Sequence, residues 1–371
     1  MNSQRCLLAG LAASSVLLQP VSARALDGAS VERVAPDRLV VRWQGADPVD
    51  VFVSDKPDSP LAGAGPVVRV DTLGTTTVER TDPRRPYFIL KDERDGSLTR
   101  VAERLLPLEA GSNFRDVGGY PAAGDKHVRW GLIYRSGATP MLTVADYRYV
   151  GRLGIASDID LRSTEERQIA PDQLPTRVGA RYFAVDYPGA PLFSRAMSSL
   201  APGGGAPASA SPAAAPAANP YRTWLISLAP QYRDIFVQLL RGQGAVAYHC
   251  SAGQDRSGVA TALVLSALGV PRDVILTDYH LSTKDRRPGN EMPKVDPAKY
   301  PGNLVAAFYA KVQAAGPPAP PRPLYDAAGV ALLQQTFDEI EVHWGSVDNY
   351  LDKELGVTAK DIARLRALYL E

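Results

Sequence analysis

Residues 245–258 read Ala-Val-Ala-Tyr-His-Cys-Ser-Ala-Gly-Gln-Asp-Arg-Ser-Gly, an apolar run that ends at His249 and Cys250 and gives way to a helical pattern from Gly258 to Leu268. A strand end and a helix start this close together leave the N–H groups between them without partners in either element. A loop of that length can curl so that successive N–H groups point inward, and the positive end of the helix reinforces the nest. An anion the size of phosphate fits such a cradle. The same field favours a thiolate, bringing a cysteine pKa from about 8.5 toward roughly 3.5 to 7.5. Cys250 is therefore the candidate nucleophile. Arg256, closing the loop, can grip two equatorial oxygens of a phosphoryl group at once, a geometry that lysine cannot match. Ser257 can hydrogen-bond the sulfur, and His249 can orient the loop from behind. Ser251, Ala252, Gly253 and Gln254 are expected to form the cradle that holds substrate.

The rest of the chain divides by period. Residues 26–105 show two-residue alternation at Leu39–Trp43, Val49–Val53, Thr75–Val78 and Tyr87–Leu90, with Asp95-Gly96 placed as a hairpin turn before Leu98–Val101. This predicts a small all-β sandwich. Its spacing and Trp43 resemble a fibronectin type III module, which implies an appendage outside the chemistry. From residue 106 to 371 short apolar strands alternate with amphipathic helices, which predicts an α/β domain with a central sheet flanked by helices. Strands are expected at Ala156–Leu161, Arg181–Val185 and Ala245–Tyr248, the second read as buried. Helices are expected at Tyr221–Leu240, Gly258–Leu268 and Pro271–Leu281. Residues 201–220, almost wholly Ala, Pro, Gly and Ser, predict a flexible insertion, and 286–325 a second irregular stretch.

Charge and cysteine use narrow the function. The 41 Lys and Arg residues nearly cancel 40 Asp and Glu, so nothing in the composition suggests a nucleic-acid partner. Residues 1–25 have a short cationic start, an apolar run broken by Ser14, Ser15, Gln19 and Pro20, and small residues near Ala23 and Ala25. They read as a signal peptide, with no transmembrane anchor left after its removal. The mature protein is expected to be exported, periplasmic or secreted, with Cys250 as its single thiol, since Cys6 leaves with the leader.

His249-Cys-Ser-Ala-Gly-Gln-Asp-Arg-Ser-Gly258 resembles the signature loop of cysteine-dependent protein tyrosine phosphatases, in the bacterial branch of tyrosine, dual-specificity and lipid phosphatases. Asn113-Phe-Arg-Asp-Val-Gly-Gly-Tyr120, Tyr134-Arg-Ser-Gly137, Asp158-Ile-Asp-Leu-Arg-Ser163 with Glu165, Val274–Ser282 and Gly345–Leu351 resemble further motifs of that branch in chain order. The resemblance implies hydrolysis of phosphate monoesters through a phosphocysteine, with no metal or cofactor. The substrate it implies is a phosphorylated protein or a small phosphate monoester, with phospholipid head groups as the alternative; a non-catalytic phosphate-binding protein is the remaining reading. The general acid is Asp255 within the loop, or else Asp160 or Asp186 from elsewhere. Asp160 with Arg162, and Arg115 with Asp116, are open to two roles, contact with substrate or a buried brace beneath the loop. Relatives that accept phosphoinositides carry Lys where this chain has Gln254, which points toward a singly phosphorylated substrate unless Arg115, Arg135 or Arg162 supplies the charge. The stretch 286–325 falls where relatives carry a lid.

Overall fold

Strands dominate the N-terminal part of the computed structural model, which describes residues 26, 28–45, 47–189 and 219–371. The expected leader and residues 201–218 of the expected insertion lie outside the described residues. β1 (Ser30–Ala35), β2 (Arg38–Arg42) and β5 (Thr75–Glu79) pair antiparallel in the order β1-β2-β5. β3 (Val49–Ser54), β4 (Gly65–Asp71), β6 (Tyr87–Asp92) and β7 (Leu98–Ala102) form a second antiparallel sheet, β4-β3-β6-β7. Val41 and Val78 of the first sheet pack into one core with Val51, Leu90 and Val101 of the second. Alternation made most of these strands legible. The β6–β7 turn lies where expected: Gly96 takes φ +74°, a left-handed conformation that favours glycine, and donates its N–H to the Asp92 carbonyl at 2.8 Å.

This module is not loosely tethered. Trp130, from beyond the module, sits in the β module's core and donates Nε1–H to the Arg100 carbonyl at 3.0 Å. In the other direction Arg85 leaves the module and places Nη1 2.6 Å from Asp116 and 3.0 Å from the Tyr134 hydroxyl, with Nη2 on the Glu103 carbonyl at 2.8 Å. Arg85 and Asp116 are both buried. Asp116 also accepts the N–H groups of Gly118 and Gly131, each at 2.7 Å, so the carboxylate is saturated.

In the second part β8 (Arg115–Asp116), β9 (Pro121–Ala122), β10 (Lys126–His127), β11 (Ile133–Ser136), β12 (Ile155–Asp160), β13 (Arg181–Ala184) and β14 (Ala245–His249) follow. Five of them make the central sheet β13-β12-β14-β11-β8, in which only β8 runs antiparallel. β14 is flanked on both sides and wholly buried, as an apolar strand of a parallel sheet must be. Its register places His249 opposite Ser136 and Asp160, so three strand ends meet where the loop departs. Ligands of open α/β sheets bind at such carboxyl ends.

Four expectations need correction. β13 lies at the sheet edge and is exposed to half-buried, with no neighbouring strand on its outer side among the described residues. The single helix expected over 221–240 is two, Pro220–Ser227 and Ala229–Arg241, with the break at Leu228 just before Pro230. The helix after the loop starts at Asp255 rather than Gly258, so Asp255, Arg256 and Ser257 occupy its first turn. The stretch 286–325 contains a helix, Leu304–Ala314, whose Ala-rich sequence is capped by the Asn303 side chain accepting from Ala306 N at 2.9 Å.

Removing one partner of a buried ion pair leaves the other charge uncompensated, at a cost of about 3–5 kcal/mol. Arg85→Ala in the full chain is expected to lower unfolding stability by about that amount, read as a lower urea midpoint.

Candidate active site

The loop 250–254 is built by turning its carbonyls outward. Ser251 O accepts from Ala138 N at 2.9 Å, Ala252 O from Asn113 Nδ2 at 3.1 Å, and Gly253 O from the same Nδ2 at 2.8 Å. Arg135 Nη2 donates to Gly253 O at 2.7 Å and to Gln254 O at 3.1 Å. Across a trans peptide the next N–H points opposite to each carbonyl. The N–H groups of residues 252–255 therefore face the other side of the loop, as an anion nest requires. Gly253 stands at φ +64°, and a Cβ there would lie 2.4 Å from the Ser136 carbonyl carbon, so only glycine fits.

Asp278 anchors the residues that hold these carbonyls. It accepts from Arg135 Nη1 at 2.7 Å, from Arg115 Nε at 3.2 Å and from the Tyr120 hydroxyl at 2.8 Å. Burial alone would raise its pKa, but Arg115 and Arg135 outweigh it and hold the carboxyl well below the usual range. Arg115 also bonds the Asn113 side-chain oxygen and so sets the amide that grips the loop. Arg115 and Arg135 are almost completely buried. They lie beneath the loop, committed to Asp278, Asn113 and main-chain oxygens, and not in the pocket.

Arg256 is locked by a residue that motif reading passed over. Its Nη1 and Nη2 meet the two oxygens of Glu166 at 2.7 and 2.8 Å, and Nη1 also donates to the Tyr187 oxygen at 2.9 Å. Burial opposes the charge on Glu166, yet Arg256 and the hydrogen bond from Ser251 pull its pKa down to about 2. Glu166 owes its position to a capping box: its carboxylate accepts Ser163 N at 2.8 Å while its own N–H reaches Ser163 Oγ at 3.3 Å. The pattern Ser163-Thr-Glu-Glu166 carries that signal in the sequence. Next to it Arg162 makes a buried pair with Asp160, Nη2 to Oδ2 at 2.7 Å, and also donates to the Ala170 carbonyl at 2.8 Å. Neither side chain has exposed surface, and the pair ties the β12 end to the Ala170 carbonyl.

His249 projects behind the loop into three carboxyl groups: Asp172 at 2.7 Å, Asp160 at 3.8 Å and Asp158 at 3.9 Å from Nε2. Burial opposes a charged imidazole, but these aspartates outweigh it and raise the His249 pKa to about 10. Asp172 is held below its usual range against burial by His249, whereas burial and Asp172 push Asp158 up. Asp158, Asp172 and His249 bring ligand-type atoms within 4.8 Å of one another, and the proton on His249 supplies the positive charge this cluster needs. Asp172 lies 77 residues from His249 and no spacing rule pointed to it.

The remaining candidates divide clearly. Asp255, in the first helical turn, accepts from the Tyr279 hydroxyl at 2.7 Å and from Gln254 Nε2 at 3.1 Å. Ser257 Oγ is fully buried and has no partner among the described residues. Cys250 is 2% exposed. Asp186 is 84% exposed and pairs with Arg167 at 2.6 Å on the surface. Ser251, Ala252 and Gln254 border a cavity of about 580 Å³ whose other walls include Met292, Phe308, Tyr309 and Val312 from the 286–325 stretch. That stretch packs over the loop.

A family model and three relatives bear on this arrangement. A model of the tyrosine phosphatase family matches residues 106–371. A Cupriavidus necator protein assigned by its name to the tyrosine-protein phosphatases is 34% identical over 71% of this chain and 88% of its own. A Nostoc commune tyrosine-protein phosphatase is 28% identical over 61% of this chain and 69% of its own. The triple specificity protein phosphatase PtpB of Mycobacterium tuberculosis is 28% identical over 73% of this chain and all of its own.

A raised folded-state pKa means that the native state holds the proton between the unfolded value of 6.5 and about 10. His249 therefore contributes stability that is complete below the first value and lost as pH rises through the second. Urea midpoints are expected to fall across that range, and Asp172→Asn, which removes the nearest carboxylate, to flatten the fall.

Proposed function

The chain belongs to the tyrosine phosphatase family and is a phosphatase, and from that premise we propose that it removes phosphate from protein phosphotyrosine through a phosphocysteine intermediate. The observation that carries this reading is the loop whose carbonyls are all tied from behind, with Cys250 at its base and Arg256 fixed by Glu166. The N–H nest and Arg256 hold the equatorial phosphoryl oxygens, which take the place of the Tyr187 and Ser251 oxygens that Nη1 and Nη2 meet beyond Glu166. The Cys250 thiolate attacks phosphorus in line, and the P–O bond to the leaving oxygen breaks. Asp255, positioned by the Tyr279 hydroxyl, gives its proton to that oxygen and becomes a carboxylate. In the second step water attacks phosphorus, Asp255 takes its proton, and the P–S bond breaks. The unpartnered Ser257 hydroxyl is then available to the departing sulfur.

The apolar and aromatic walls, Met292, Phe308, Tyr309 and Val312, suit a flat aromatic stem between phosphate and peptide. A second reading, a polyphosphorylated inositol or lipid head group, would draw on Arg286 beside Gln254 only with its pair to Glu291 opened. We read the seven-stranded module as fibronectin type III-like, supported by its division into sheets of three and four strands. The leader-like residues 1–25 support export to a periplasmic or extracellular site, testable by locating the protein after cell fractionation.

Cys250→Ser is expected to abolish phosphate release while retaining binding of a phosphotyrosine peptide, measured by calorimetry. Asp255→Asn should slow hydrolysis by about 100-fold or more for aryl phosphates with poor leaving groups and far less for activated ones; equal slowing would remove Asp255 from the acid role. Glu166→Gln, which releases Arg256, is expected to lower kcat/KM for the peptide about tenfold or more.

A further inference from the structure

The lip of the cavity carries a charge arrangement that the motifs do not contain. Arg286 donates through Nε and Nη2 to the two oxygens of Glu291 at 2.9 and 2.8 Å, and through Nη1 to Gln254 Oε1 at 2.6 Å. Gln254 in turn donates Nε2–H to Asp255. Glu291 is buried and accepts a further hydrogen bond from Ser112 Oγ at 3.0 Å. Arg286, Gln254 and Glu291 all border the same cavity. The three arginines that might have extended the anion site behave differently: Arg115, Arg135 and Arg162 are enclosed and paired with Asp278 or Asp160. Arg322 also lines the cavity, but from an exposed position where water and salt screen it.

A bidentate carboxylate on Arg286 leaves a neutral pair at the place where a second phosphate would sit. That pair still orients the Gln254 amide but offers a second anion no net attraction, and the Glu291 carboxylate repels it. Resting on the phosphatase reading above and deepening it, we infer that Glu291 is a specificity-determining residue. By holding Arg286 as a neutral clamp on Gln254, it fits the cavity to one phosphate on an aromatic stem and against substrates with a second phosphate beside the first.

The test compares kcat/KM for inositol hexakisphosphate with that for a phosphotyrosine peptide, in the full chain, with Cys250→Ser as the blank. Glu291→Gln keeps the size and hydrogen bonding of the side chain and leaves Arg286 uncompensated, so the ratio is expected to rise about tenfold at low salt and to lose that gain in high salt. Arg286→Gln leaves the Glu291 carboxylate unopposed and is expected to move the ratio the other way, which keeps the inference testable if the first variant does not fold. An active chain whose ratio moves in neither variant overturns the role of Glu291. Absence of Cys250-dependent release from both substrates in the unaltered chain overturns the phosphatase reading itself.

Discussion

The site depends on a requirement of the main chain. For one side of a five-residue loop to present N–H groups to an anion, the carbonyls on its other side must find donors inside the protein. Ala138 N, the Asn113 amide and the Arg135 guanidinium supply them. A buried guanidinium is costly unless it is paired. Asp278 meets that need for Arg135, and Arg115 joins the same carboxylate and aligns Asn113. The positive charge of these arginines also lies under the loop, where it favours an anion above it. Cys250 and Arg256 act from a scaffold whose organisation begins two layers below them.

Much of this was legible in the sequence because local rules governed it. The strand, loop and helix around Cys250 followed from apolar pattern and spacing, and most β strands of the first module from two-residue alternation, though not β1 or β4. The partners of the site residues were harder to see because they are set by sheet register. Asp172 meets His249, and Asp278 meets Arg115 and Arg135, across 77, 163 and 143 residues of chain. No local pattern encodes such distances. Glu166 is the exception: its capping box announced a helix start, and the inference not made was that a fixed carboxylate at that start could hold an arginine. Arg286 escaped notice since it follows a helix end in a proline-rich stretch read as irregular.

Asp160, Arg162 and Arg115 illustrate why residue type alone misleads near such a site. Arg162 and Arg115 have the charge to hold a phosphate, and Asp160 the carboxyl group of an acid. Each is also enclosed and paired with buried partners. Burial with such pairing suits a brace, whereas Ser257 Oγ is buried with no partner among the described residues.

Arg85 and Trp130 cross the boundary between the two parts of the chain in opposite directions, one charged and one aromatic, each ending in the other's interior. Beads on a string can be exchanged between proteins without disturbing their neighbours. These two parts share a core, so a chain cut near residue 105 would expose an indole on one fragment and strand a buried carboxylate on it. The two parts are therefore expected to unfold together, and the β module belongs to the enzyme's architecture as much as any strand of the central sheet.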